Sequence, residues 1–247
     1  MKKLVIILCS FLLSLPLFAD PKNIVYNQAF DFSAIENLDI SLTNENLQIS
    51  RIYGNEIVVE IGSNNIKKIP QVSVQDESLQ IISKEQKTSR GNKCNVYVYI
   101  PQDFNACEIK INCVSGTISA DILQTQNAVH INNVSGRTDI VACQTEFYKA
   151  TSVSGNITLQ KIAVNFFDFS STSGNIFAEL ETAPLATSGI TNISGKSQLY
   201  VPKDSNLTYK TFSISGKITN NSIDSTNPEA PQVTISSVSG KIEVKEY

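Results

Sequence analysis

Seven times the chain repeats a small residue, a β-branched residue, serine and glycine, placing Ser115, Ser135, Ser154, Ser173, Ser194, Ser215 and Ser239 before Gly116, Gly136, Gly155, Gly174, Gly195, Gly216 and Gly240. A serine nucleophile needs a base beside it, and the chain has one histidine, His130. A reaction centre is also needed once rather than seven times, so the serines and glycines are read as structural. Paired carboxylates could hydrolyse a glycan, and an acid with a basic neighbour could drive elimination. Asp121 and Asp139 near Arg137 are the candidates, but they lie six and four residues past their serines and need not face the same way. They are read as surface charges, as is His130. No Gly-rich phosphate loop, calcium repeat or His/carboxylate set is present, so no cofactor and no metal are expected.

One column could bind without catalysing. Two residues past each serine stand Thr117, Arg137, Asn156, Asn175, Lys196, Lys217 and Lys241. At a repeating spacing the three lysines, with Arg137 further along, would form a positive stripe suited to an anionic glycan or an envelope surface. The same lysines would also protect a stack of strands from sideways association. Cysteine offers a second possibility. Cys94 and Cys113 are nineteen residues apart, close to the repeat spacing, and their pairing as a disulfide is expected on that ground. Cys107 and Cys113, six apart, do not have the spacing of a zinc site.

What positions these side chains is the repeat itself. Successive serines are separated by 20, 19, 19, 21, 21 and 24 residues, and a period near twenty signals a solenoid. Aligned on the serine, apolar residues recur six and four positions before it (Ile109, Ile111; Val129, Ile131; Phe167, Phe169) and three and five after it (Ile118, Ala120; Ile157, Leu159; Ile242, Val244). Alternation of this kind means strands with one buried face. The fold class expected is all-β: a single-chain, right-handed parallel β-helix with coils of roughly 20 residues. Stacking builds an apolar column in which each buried Ile or Val contributes about 1.5–3 kcal/mol. Val153 is assigned to that column and Thr158 to the outward parity. The glycines either take a positive φ or let the backbone turn against the core without a Cβ.

Residues 108–247 carry the seven repeats, and residues 24–107 read as less regular coils or a cap within one domain, 20–247. Met1-Lys2-Lys3, an apolar run to Leu17 and Ala19 read as a signal peptide over residues 1–19, and no later run is long enough to span a membrane. The chain is therefore expected to be exported: periplasmic, on the cell surface or secreted. Its 20 basic and 23 acidic residues and pI near 5.3 give no general attraction for nucleic acid. The partner class expected is a glycan, a matrix or an envelope protein, bound without catalysis. An envelope-stress or assembly partner that binds another protein is the alternative, and a polysaccharide-acting enzyme is less favoured.

The repeats Val114-Ser115-Gly116-Thr117-Ile118, Val153-Ser154-Gly155-Asn156-Ile157 and Val238-Ser239-Gly240-Lys241-Ile242, with the strand Val96-Tyr97-Val98-Tyr99-Ile100-Pro101, carry a resemblance to the bacterial putative-adhesin domain family. It covers about residues 30–247. It implies a β-helical, non-enzymatic envelope or surface protein and brings no catalytic residues with it.

Overall fold

A computed structural model describes residues 23–84 and 94–247. The expected signal peptide, and residues 85–93 where Arg90-Gly91-Asn92 reads as a turn signal in the sequence, lie outside the described residues. In chain order the strands are β1 (Ile24–Asp31), β2 (Asn37–Leu42), β3 (Asn46–Ile52), β4 (Glu56–Ser63), β5 (Gln71–Gln75) and β6 (Ser78–Ile82). There follow β7 (Cys94–Pro101), β8 (Ala106–Cys113), β9 (Ile118–Asn133), β10 (Arg137–Ser152), β11 (Asn156–Ser171) and β12 (Ile176–Leu180). The last are β13 (Ser188–Asn192), β14 (Lys196–Val201), β15 (Thr208–Ser213), β16 (Ile218–Asn221), β17 (Gln232–Ser237) and β18 (Lys241–Glu246).

The chain is an all-β solenoid whose strands pair with their equivalents one coil away. β9, β10 and β11 each run through two sides of a coil and stack in parallel register, Thr138 beside Ile118 and Ile157, Ala150 beside Ile131 and Phe169. The expected inward columns are buried: Val129, Tyr148 and Phe167 at one level, Ile131, Ala150, Phe169, Ile190 and Ile235 at the next. Large and small side chains offset one another between coils. Tyr148 meets Phe169 edge-on at 5.4 Å and Phe167 stacks on Phe169 at 4.7 Å, while Ala150 and Ala178 leave the room those rings occupy.

Stacking order departs from chain order at both ends. On the side that follows the corner, β14 pairs with β18 and β18 with β16. On the side that precedes it, β13 pairs with β17 and β17 with β15. The last coil in sequence therefore sits between the two before it. The loop at residues 222–231, with Pro228 and Pro231, carries the chain back, which is why the final spacing is 24 residues. In the N-terminal region β2 lies between β6 and β8, and β3 between β7 and β9. Antiparallel strands close that end, β1 on β4, β4 on β7, and β5 on β6. At the opposite end, Thr211 and Asn220 occupy levels that are apolar elsewhere, a polar finish suited to a terminal coil.

Two expectations are corrected here. Val153 is not in the core: its side chain is 50% exposed, and the buried neighbours are Ser152 and Gly155. Tyr148, Ala150 and Ser152 are the buried parity of the strand entering the corner, so Val153 falls on the outward one, and alternation breaks only at Ser154; the β-branched residue of each repeat therefore points to solvent. Cys94 and Cys113 are not a disulfide, since all four described cysteines are free thiols. Cys94 opens β7 on the side that follows the corner, whereas Cys113 ends β8 on the side that precedes it, beside Leu42 of β2, so a spacing of nineteen does not bring them to equivalent positions. Burial pushes the Cys94 thiol up to about 12 and raises those of Cys113 and Cys143, which leaves them protonated and unreactive.

Candidate binding face

Six of the seven Ser-Gly corners are held from inside, the exception being Gly195, where Asn192 Oδ1 has no partner. The residue two before the serine turns inward and accepts from the amide of the corner glycine: Ser152 Oγ from Gly155 at 2.8 Å, Ser171 Oγ from Gly174 at 2.9 Å, Asn133 Oδ1 from Gly136 at 3.1 Å, Ser237 Oγ from Gly240 at 2.8 Å. Bonding between coils at this level is made by the asparagines, Asn133 Nδ2 to Gly116 O and Asn192 Nδ2 to Gly174 O. The glycines stack on one another. A Cβ on Gly155 would lie 1.8 Å from Gly136 O, one on Gly240 would lie 2.0 Å from Gly195 O, and one on Gly216 would lie 1.7 Å from Gly240 O. Close approach therefore explains the column; Gly195, at φ +128°, also has the left-handed backbone. The first position in the column is held by Glu45, whose carbonyl lies against Gly116. The Thr43–Asn46 turn is thus a corner without the Ser-Gly phrase.

The outside of the corner carries two rows. The serine hydroxyls donate to the coil stacked beside them, Ser135 Oγ to Val114 O and Ser215 Oγ to Val238 O. Beside them Val114, Val134, Val153, Thr172, Ile193, Val238 and Ile214 form an exposed ridge.

The basic column lies one step further on. Lys196 is level with Lys241, and Ile218 is level with Ile242, so the spatial order is Lys196, Lys241, Lys217. Glu243 stands among them and contacts Lys196 at 2.9 Å, Lys241 at 3.6 Å and Lys245 at 2.6 Å. Its hydrogen bonds to Lys245 and Lys196 hold its carboxyl down at about 2. Lys245, raised by Glu243, also lies 5.6 Å from the Tyr200 ring. The C-terminal coils thus gather three lysines around one carboxylate, with Lys217 one coil further on. Arg137 is three coils away, past Asn156 and Asn175, and is held by Asp139 at 2.5 Å; it does not join the stripe. Glu243 and Lys245 were absent from the sequence reading, although both follow Lys241 within the same strand.

The other candidates do not converge. Asp139 is level with Ser119, and Asp121 lies beyond Ala120, the partner of Ile140. His130 faces outward, 3.2 Å from Glu108 and edge-on to Phe147. Among the described residues no three His, Cys, Asp or Glu side chains form a metal-binding group, and no helix is long and apolar enough to cross a membrane.

Parallel coils, a glycine-lined corner and antiparallel closure define an open β-solenoid of the toastrack type. The chain belongs to the Toastrack DUF4097 family, whose model matches residues 35–247. Among solved structures it is similar to a putative adhesin from Bacteroides fragilis NCTC 9343, at 14% identity and TM-score 0.56, covering 90% of this chain and 96% of that one. It is also similar to a putative lipid binding protein from Parabacteroides distasonis ATCC 8503, at 13% identity and TM-score 0.50, covering 88% and 96%. At these identities the likeness is one of fold. No curated protein matches the chain.

Proposed function

We propose that the protein is an exported, non-catalytic solenoid that binds an anionic polymer of the cell envelope or its surroundings through its C-terminal basic face. The observation that carries this reading is the grouping of Lys196, Lys241, Lys217 and Lys245, which insertion of the last coil assembles. Neighbouring coils lie about 4.8 Å apart, so the ammonium groups form a short linear array. A linear array sums weak contacts along a charged chain, whereas catalysis needs unique groups converging on one point. The names of the structural neighbours and the sequence reading of residues 1–19 support an envelope or surface setting.

Retention of the purified protein on heparin and polygalacturonate, compared with neutral dextran and with anionic lipid vesicles, tests the reading and separates glycan from membrane. Binding should fall steeply with salt, since exposed charges are screened beyond about 8 Å at physiological ionic strength. Replacing Lys196, Lys217 and Lys241 by Gln should abolish it while circular dichroism shows the strands retained, the melting temperature falling only by what the Glu243 ion pairs contribute. Retention that survives both treatments would discard the basic face. Turnover of either polymer would overturn the non-catalytic assignment, and protection of the protein from protease added to intact cells would exclude surface display.

A further inference from the structure

A second site lies on the opposite edge of the coil, where the chain returns between the two sides. An open groove of about 470 Å³ crosses four successive coils there, lined among others by Gln126, Gln144, Glu146, Asn165, Thr182 and Leu185. The volume is within the range of small-ligand sites, roughly 300–1,000 Å³. Its origin is local. The register of β10 against β9 shifts between Gln144 and Phe147, and Lys161 takes a left-handed φ of +47° in the next coil. Bulges bend a strand and re-aim its side chains. At the floor, inward positions that are apolar elsewhere carry Thr125 and Thr145, buried, with their hydroxyls 2.6 Å apart.

We propose that this groove binds a neutral oligosaccharide lying along the solenoid axis. Gln126, Glu146 and Asn165 each stand eleven residues past their serine, so they recur at the coil spacing. Each amide offers two donors and an acceptor, and the carboxylate accepts through both oxygens. That is the chemistry that grips vicinal hydroxyls repeated along a chain. Leu185, 73% exposed, gives an apolar surface for the C–H face of a sugar. From Glu146 and Asn165 the chain steps directly to Phe147 and Phe166, stacked at 4.5 Å, with Phe166 38% exposed. The charge excludes other ligands: Glu146 is the one charged side chain in the lining and no cation accompanies it, so an acidic polymer is repelled. Nor does the groove suit an added peptide strand, because the coils that border it already pair with each other.

Calorimetric titration with cello-, chito-, malto- and manno-oligosaccharides tests the site. At least one should bind in the micromolar-to-millimolar range, and Gln144→Ala with Asn165→Ala should weaken it tenfold or more at unchanged melting temperature. Glu146→Gln should weaken neutral binding, since an amide nitrogen replaces one accepting oxygen, and admit glucuronate-containing oligomers, since the repelling charge is gone. The Lys196, Lys217 and Lys241 to Gln variant should bind the neutral probes like the parent, which separates failure of this site from failure of the basic face. No heat with any neutral probe at millimolar concentration would overturn the proposal. So would neutral binding that the Gln144/Asn165 variant retains.

Discussion

The inner and outer sides of the corner repeat equally often and for different reasons. Inside, Gly155 recurs because the carbonyl of Gly136 occupies the place of its Cβ, and Ser152 recurs because that glycine's amide needs an acceptor. Outside, Val153 recurs with half its surface in water. Steric exclusion therefore enforces the inner column, while nothing in the packing of the coil enforces apolarity on the outer one. Repetition in a solenoid reports that equivalent positions stack; it does not report which of them are buried.

Substitutions at a single corner separate the two sides. Gly155→Ala should have the largest effect, above about 4 kcal/mol or loss of folding, because backbone must move to admit the methyl group; urea midpoints measure it. Ser152→Ala should cost about 1–2 kcal/mol, the consequence of leaving the Gly155 amide without its acceptor. Val153→Asp should change stability by about 0.5 kcal/mol or less, as for an exposed site. A collapse of the Val153→Asp variant comparable to that of Gly155→Ala would restore the inward assignment. The smallest effect concerns Glu243. Its folded carboxyl is depressed from 4.5 to about 2 by the lysines, so its contribution is present in full above pH about 4.5 and is lost as pH falls through 2. The stability difference between the parent and Glu243→Gln should accordingly be flat at neutral pH and close between pH 4.5 and 2.

Much of this was legible in the sequence. The coil, its inward columns and the offsets that align Lys196, Lys217 and Lys241 follow from the period, since parallel register preserves offset from the serine. What the period cannot carry is the order of stacking. A spacing of 24 residues marks an insertion but not a coil that returns to lie between two earlier ones, and a spacing of nineteen suggested a contact between Cys94 and Cys113, which stand on opposite sides of the corner. The corner at Thr43–Asn46 escaped notice because Glu45 stands where the glycine would be. Val153 was misplaced because a β-branched residue in every copy resembles a core position, whereas it keeps the outward parity of the strand entering the corner and the alternation resets only after it. The groove had a readable signal in the polar residues eleven past three serines, set at a distance from the phrase that drew attention.

The order Lys196, Lys241, Lys217 and the contact of Glu243 with Lys196 depend on the last coil lying between its two predecessors, and engineered cross-links test that directly. Neighbouring parallel strands place equivalent Cα atoms about 4.8 Å apart, within the roughly 4.4–6.8 Å of a disulfide, whereas strands two apart lie near 9.6 Å. Cysteines introduced together at Lys196 and Lys241 should therefore oxidise readily in the folded protein, and those at Lys196 and Lys217 should not. Efficient cross-linking of 196 to 217, with 196 and 241 remaining reduced, would place the coils in chain order and contradict the assembly of the face.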